Sequence, residues 1–138
     1  MKKVRVLLAD SHSQVRTQLA ARLQREQDIE LIGLTSNSGQ TLRMALSNPP
    51  DVLLIDPMMR DGFGLANLRQ IVARLPTTMI IVLTAYVDTA LKMEFDRMGV
   101  SQILTKGLSS ESLLNTIRSN AKFTALPVNK PVNTPLRV

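Results

Sequence analysis

The chain of 138 residues is 44% hydrophobic and 20% charged, as in one soluble globular domain. No apolar run approaches the roughly 20 residues that span a bilayer, so we expect no membrane segment and a cytoplasmic location. The absence of cysteine excludes disulfides and thiolate chemistry, and a net charge of +6 spread from Lys2 to Arg137, with 3% aromatic residues, argues against direct nucleic-acid binding.

Short apolar runs rich in β-branched residues alternate along the chain with amphipathic segments. They predict five strands, at Val4–Ala9, Ile29–Thr35, Val52–Ile55, Met79–Thr84 and Gln102–Thr105. Three of these runs are almost wholly apolar, as expected when helices cover both faces of a parallel sheet. The strict alternation of strands and helices therefore predicts a doubly wound α/β fold with right-handed crossovers.

The segments between the strands carry apolar residues at helical spacing, which predicts helices that bury one face. A second, shorter helix is expected near residues 40–47, and either Ser109 or Ser110 should cap the last helix, as Ser13 should cap the first. The four clear stripes are Val15, Leu19 and Leu23; Leu65, Leu68, Ile71 and Leu75; Leu91, Phe95 and Met98; and Leu113, Leu114 and Ile117.

The helical and strand patterns stop near Ala121, and the remaining segment contains Pro127, Pro131 and Pro135. Such spacing of prolines is typical of an extended linker. We therefore expect residues 1–122 to form the domain and residues 123–138 to form a proline-containing linker or tail.

Four polar side chains fall at the carboxyl ends of predicted strands, where ligands bind in doubly wound folds. They are Asp10, Asp56, Thr84 and Lys106. A carboxylate such as Asp56 can accept a phosphoryl group as an acyl phosphate, while an ammonium and a hydroxyl offset charge on the phosphoryl oxygens. Asp10 can hold a hard cation such as Mg²⁺. The simpler alternative is an ordinary ion pair between Lys106 and Asp56.

Four segments in register resemble the CheY-like response-regulator receiver domain, over about residues 2–122. LLADSH resembles its acidic turn, PDVLLIDPMM its phosphoacceptor strand, IIVLTA the strand ending in the switch Thr84, and MGVSQILTK the approach to Lys106. Gly64 rather than Gly62 matches the family glycine, because Leu65 and Leu68 then follow in helical phase. The resemblance implies a flavodoxin-like parallel sheet of five strands in the order 2-1-3-4-5, with five helices.

The resemblance also implies a function in two-component signal transduction. Asp56 would be phosphorylated by a partner histidine kinase or phosphotransfer protein, with Mg²⁺ held by Asp10, Asp56 and the backbone carbonyl of Met58. Thr84 and Lys106 would read the phosphoryl group and change a surface for homodimerisation or output. This role is a switch and not a metabolic enzyme, limited to phosphoryl transfer to itself and slow autodephosphorylation.

Two further features bear on the output of such a switch. The LLADSH turn and Gly107 are similar to the subgroup that carries a LuxR/NarL-type DNA-binding domain, so DNA would be contacted only through an output domain absent from this sequence. Met58 and Tyr86 would flank the approach of water to a phosphorylated Asp56, which predicts slow loss of the phosphoryl group. His12, the only histidine, is interpreted as a surface residue at the start of the first helix and not as a metal ligand.

Three positions depart from the family pattern. Ser11 replaces the usual acidic metal ligand, so Mg²⁺ is expected to bind weakly. Arg60 replaces the usual proline and could supply positive charge near Asp56, and Ile103 replaces the aromatic switch residue. These departures leave an alternative open: an atypical pseudo-receiver that acts as a phosphorylation-independent protein-interaction module.

Overall fold

A computed structural model describes residues 2–59 and 61–121. Its main sheet contains five parallel strands: β1 (Val4–Ala9), β2 (Ile29–Thr35), β3 (Val52–Ile55), β6 (Met79–Thr84) and β7 (Gln102–Thr105). They lie side by side in the order β2-β1-β3-β6-β7. The predicted strands, their order and the doubly wound α/β class are confirmed.

Five helices flank the main sheet, and the structure also contains one short hairpin that the sequence did not predict. The helices are α1 (Ser13–Gln24), α2 (Ser38–Ser47), α3 (Leu65–Arg74), α4 (Thr89–Met98) and α5 (Ser110–Ala121). The hairpin pairs β4 (Met58–Met59) with β5 (Gly62–Phe63) in antiparallel fashion just after β3. Strands of two residues are too short to leave a periodic pattern in the sequence.

The helix caps correct one prediction and decide between two others. Ser13 does not cap α1: His12 occupies the N-cap position, and its carbonyl accepts the backbone N–H of Arg16 at 2.9 Å. Ser109 caps α5, because its hydroxyl oxygen accepts the N–H of Ser112 at 3.2 Å. Helix α2 begins two residues earlier than expected, after Asn37 caps it through the N–H of Gln40.

The core forms two layers, one on each face of the sheet. On one face the sheet packs against α1 and α5, through Ala20, Leu23, Leu113, Leu114 and Ile117. On the other face it packs against α2, α3 and α4, through Ala45, Leu68, Ile71 and Phe95. Strands β3 and β6 are buried along their whole length, so both their faces are apolar, as the sequence shows.

Two of the sequence predictions concern a membrane segment and the end of the chain. None of the helices in the described part of the chain is both long and apolar enough to cross a bilayer. The proline-containing linker or tail predicted at residues 123–138 lies outside the described residues.

Helix α5 is tied to the loop between α1 and β2 by a guanidinium between two carboxylates. Arg118 donates to both carboxylate oxygens of Asp28, at 2.7 and 2.9 Å, and to Glu26 at 2.7 Å. These bonds hold the pKa of both carboxyl groups below their ordinary values, with a further contribution from Arg22 at Glu26. The pair Asp28–Arg118 therefore fixes one end of α5 to the loop that leads into β2.

We predict that Arg118→Gln lowers the urea midpoint of unfolding at neutral pH, because it leaves the two carboxylates without their shared partner. A lowered folded-state pKa contributes stability above the ordinary values of 3.8 and 4.5, and this stability is lost as the pH falls through the folded pKa. The midpoints of the variant and the parent protein should therefore converge in acid. Arg97→Gln, which removes only an exposed 3.4 Å pair with Glu94, should have little effect. A constant difference across the pH range would contradict the assignment.

Candidate functional site

Four strand ends bring the predicted site residues together at one edge of the sheet. Asp10 follows β1, Asp56 follows β3, Thr84 ends β6 and Lys106 follows β7. The two aspartates and the threonine are buried, whereas the Lys106 side chain keeps 15% of its surface exposed. The carboxyl ends of parallel strands thus place two carboxylates, a hydroxyl and an ammonium around one pocket.

The ammonium of Lys106 lies between the two carboxylates. Its Nζ is 2.8 Å from Asp10 Oδ2 and 2.7 Å from Asp56 Oδ2. Partial burial alone would lower the pKa of Lys106, but the hydrogen bonds and charges of Asp10 and Asp56 outweigh that effect and raise it above the ordinary value. Lys106 is therefore a positive charge that offsets two buried negative charges.

The backbone fixes the orientation of both carboxylates. Oδ1 of Asp56 accepts the N–H of Met58 at 2.9 Å, and Oδ1 of Asp10 accepts the N–H of His12 at 2.8 Å. The guanidinium of Arg16 donates to the carbonyl of Asp10 at 2.7 Å. Each carboxylate therefore uses one oxygen for the local turn and presents the other to Lys106, so the turns after β1 and β3 aim both groups into the pocket.

Thr84 lies in the pocket wall with its hydroxyl turned toward its own loop. The hydroxyl donates to the carbonyl of Tyr86 at 3.3 Å, near the long limit for such a bond. The carbonyl of Thr84 accepts the backbone N–H of Lys106 at 2.9 Å. The ends of β6 and β7 are thus linked by backbone, while the Thr84 side chain is held only weakly.

Ser11 contacts the loop after β3. Its hydroxyl donates to the carbonyl of Met58 at 3.0 Å, and that carbonyl is the one that the family resemblance assigns to the metal. The carboxylates of Asp10 and Asp56 and the Met58 carbonyl are hard oxygen donors of the kind that Mg²⁺ binds. The donor set therefore fits a divalent cation, with one carboxylate fewer than the family pattern has.

His12 reaches further into the site than the sequence indicated. Its side chain is 60% exposed, as expected of a helix-start residue, yet Nδ1 lies 3.1 Å from Asp10 Oδ1 and 3.3 Å from Lys106 Nζ. One potential ligand atom each from Asp10, His12 and Asp56 lies within 4.8 Å of the others. A pattern of residue types could place His12 at the pocket edge, but not the direction of its ring.

Asp61 anchors the loop that follows Asp56. The sequence analysis did not predict this role of Asp61. Its carboxylate accepts the backbone N–H groups of Ser38 and Gly39 at 3.0 and 3.2 Å, and the Ser38 hydroxyl at 2.8 Å. These bonds, that of the Ser38 backbone above all, lower the pKa of Asp61. Gly64 completes the contact, since a Cβ there would lie 3.0 Å from the Cβ of Ser38. The loop after Asp56 is therefore fastened to the start of α2.

The remaining predicted positions lie around the pocket or outside the description. Met58 in β4 and Tyr86 in the loop after β6 are 52% and 73% exposed. Ile103 is partly buried and packs against the core layer that contains Phe95. Arg60 lies outside the described residues, so its proximity to Asp56 stays a prediction.

The sequence model of the response regulator receiver domain family matches residues 6–118 of the chain. The chain belongs to this family. The curated relatives of this receiver domain include the transcriptional regulatory protein LiaR of Bacillus subtilis, 35% identical over 119 residues, and the oxygen regulatory protein NreC of Staphylococcus haemolyticus, 29% identical over 139 residues. The alignments cover 86% and 94% of the chain but only 56% and 64% of these relatives.

Solved structures share the fold of this receiver domain. The signal receiver domain of the putative response regulator NarL from Mycobacterium tuberculosis superposes with a TM-score of 0.81 at 22% identity, over 88% of this chain and 98% of that one. A CheY-like receiver domain protein from Methanospirillum hungatei gives 0.82 at 18% identity, over 90% and 98%. These structures show that the chain has the receiver fold, and nothing in the comparisons favours the pseudo-receiver alternative.

We predict that Lys106→Met destabilises the receiver domain at neutral pH by about 2 kcal/mol, because Asp10 and Asp56 remain buried without a cation. The loss should be smaller than the 3–5 kcal/mol of a fully buried pair, since Lys106 reaches solvent. Urea unfolding in the presence of a chelator measures it. Adding Asp56→Asn to Lys106→Met should recover part of the stability, as a double-mutant cycle would report. Equal stability of Lys106→Met and the parent protein would rule out this view of the pocket.

Proposed function

We propose that Asp56 accepts a phosphoryl group from a partner histidine kinase or phosphotransfer protein and that the chain works as the resulting switch. The observation that carries this proposal is the pairing of a buried Asp56 carboxylate with Lys106 at 2.7 Å, beside Asp10 and Thr84. Phosphoryl transfer needs positioning and positive charge more than it needs acid–base groups. The pocket holds a nucleophile and a fixed cation in contact, which suits that requirement.

The transfer forms one bond and breaks one. A carboxylate oxygen of Asp56 attacks the phosphorus of a phosphohistidine, a P–O bond forms as the P–N bond breaks, and the leaving imidazole nitrogen keeps the electron pair and takes a proton from solvent. The product is an acyl phosphate. Lys106 then faces the phosphoryl oxygens, and Thr84 can turn its hydroxyl from the Tyr86 carbonyl toward them, because that bond is long.

A divalent cation belongs to this reaction. We propose that Asp10, Asp56 and the backbone carbonyl of Met58 hold Mg²⁺, which when bound offsets negative charge on the phosphoryl oxygens. Ser11 keeps its bond to the Met58 carbonyl or gives it up for the cation, and it adds no negative charge in either case. Weaker Mg²⁺ binding than in a pocket with a third carboxylate follows.

The structural change that follows phosphorylation extends from the pocket to the end of β6 and to α4. Rotation of Thr84 frees the carbonyl of Tyr86, which lies in the loop before α4. Tyr86 and Met93 are large apolar side chains that are exposed on this side of the molecule. We propose that this surface changes on phosphorylation and serves homodimerisation or output, with Ile103 packing in place of the family's aromatic residue.

The chain spans 56% of LiaR and 64% of NreC, both named as regulators. We propose that residues 1–122 are the receiver and residues 123–138 a linker toward a DNA-binding output domain, through which alone DNA is contacted. Pro127, Pro131 and Pro135 support an extended linker. Such a regulator acts in the cytoplasm, and its catalytic activity is limited to phosphoryl transfer to itself and autodephosphorylation.

We predict that incubation with a small phosphodonor and Mg²⁺ adds the mass of one phosphoryl group to the chain. Asp56→Asn should remove the adduct, because a carboxamide is not a nucleophile for phosphorus, while its shape leaves the pocket intact. Intact mass spectrometry measures both. Omitting Mg²⁺ should reduce the yield.

Two results would contradict the assignment of Asp56. An adduct that persists in Asp56→Asn would mean that another side chain is modified. The absence of any adduct at high Mg²⁺, in protein that unfolds in one cooperative transition, would support the pseudo-receiver alternative. A third carboxylate, introduced by Ser11→Asp, tests whether the metal is limiting.

We predict that the phosphorylated chain loses its phosphoryl group slowly, because Met58 and Tyr86 stand in the two loops beside Asp56. Trimming both to alanine should open the path for water and speed the loss by roughly tenfold, equivalent to about 1.4 kcal/mol of barrier. Decay of the phosphorylated mass with time gives the rate. Leu34→Ala, which shortens an exposed apolar side chain on β2, is the control and should leave the rate unchanged. Unchanged or slower decay in the trimmed variant would disprove the shielding role.

A further inference from the structure

Three hydrogen-bond acceptor atoms from two loops surround the ammonium of Lys106. Oδ2 of Asp10 and Oδ2 of Asp56 lie 2.8 and 2.7 Å from Nζ, and Nδ1 of His12 lies 3.3 Å from it. The same ring nitrogen is 3.1 Å from Oδ1 of Asp10. The structure thus contains a cation already held by two carboxylates and an imidazole.

Ser11, which replaces the usual acidic metal ligand, adds no charged ligand to this pocket. The hydroxyl of Ser11 donates its hydrogen to the carbonyl of Met58 at 3.0 Å, and not to Asp10, Asp56 or His12. The next residue in the chain, His12, places its ring nitrogen Nδ1 at this pocket beside Asp10 and Lys106. A neutral imidazole adds a ligand without adding charge.

We propose that this pocket binds a divalent transition-metal ion through His12, Asp10 and Asp56, and binds Zn²⁺ more tightly than Mg²⁺. The proposal deepens the proposed function, because the metal site is the one beside the phosphoacceptor. It differs in the chemistry of the ion and in the ligand that His12 contributes. Imidazole favours zinc, cobalt and nickel, whereas magnesium prefers oxygen alone.

The distances allow the site to close with small movements. The potential ligand atoms of the three residues lie within 4.8 Å of one another. Around a tetrahedral zinc ion with bonds of about 2.0–2.2 Å, two ligand atoms lie about 3.4 Å apart, so closure needs at most about 1.5 Å of movement. The backbone N–H of His12 is fixed by Asp10 at 2.8 Å, while its side chain is 60% exposed and already faces Asp10 and Lys106. Three protein ligands leave a fourth position open, as in reactive zinc sites.

The ion competes with Lys106, since both occupy the space between the carboxylates. Metal binding therefore displaces the ammonium from Asp10 and Asp56, and the affinity is lower than that of a dedicated zinc site. The imidazole contributes most to a borderline ion and least to Mg²⁺. Selectivity for the ion, and not tight binding, is the property that His12 confers.

The test compares metals on the whole chain by isothermal titration, without any phosphodonor. We expect a dissociation constant for Zn²⁺ at least about 100-fold below that for Mg²⁺. His12→Ser keeps a good N-cap for α1 and should weaken Zn²⁺ binding by about tenfold or more, while changing Mg²⁺ binding by less than about twofold. Glu30→Gln, which removes an exposed carboxylate from β2, should leave both unchanged.

A spectroscopic readout separates ligation from a general loss of structure. His12 is the only histidine, so the imidazole ¹⁵N resonances of the chain belong to it alone, and one of them should shift on adding stoichiometric Zn²⁺. Unmoved resonances, equal Zn²⁺ affinity in His12→Ser, or equal affinity of the parent protein for the two metals would each overturn the proposal. None of these results touches phosphorylation of Asp56 with Mg²⁺, which the mass assay decides separately.

Discussion

The bridge from Lys106 to Asp10 and Asp56 is the constraint around which the pocket is built. Two carboxylates buried at neighbouring strand ends would repel each other and lose their hydration, so the fold needs a cation between them. Lys106 can provide it only because β7 ends level with β1 and β3 at the same edge. The strand order is therefore also a condition for charge balance, and the strand ends cannot shift relative to one another without breaking it.

This arrangement makes the ammonium exchangeable. Anything that brings positive charge to the carboxylates competes with Lys106, and anything that brings negative charge to Asp56 gives the ammonium a new partner. Thr84 shares the region but is bound differently, through one long hydroxyl contact to Tyr86 and a backbone bond to Lys106. The pocket thus combines an ammonium held by two carboxylates with a hydroxyl held by one long hydrogen bond.

The sequence predicts the fold almost completely, because buried parallel strands are apolar on both faces and interrupted by amphipathic helices. It also predicts that four polar residues meet at one pocket, since each ends a strand or follows it directly: Asp10, Asp56, Thr84 and Lys106. Local patterns could not predict the contact between Asp61 and Ser38, whose residues are 23 positions apart and whose types are ordinary in loops. Nor could they give the direction of a side chain: the ring of His12 faces the pocket although the residue is exposed.

The fastening of Asp61 to the start of α2 has a directional consequence. Two contacts hold the hairpin that follows Asp56. The carboxylate of Asp61 binds the start of α2, and the carbonyl of Met58 accepts the hydroxyl of Ser11. The opposite wall, around Thr84 and Tyr86, has no comparable mooring among the contacts described. The pocket is therefore held more firmly on the α2 side than on the α4 side. We expect a change at Asp56 to displace the loop around Thr84 and Tyr86 more than the hairpin.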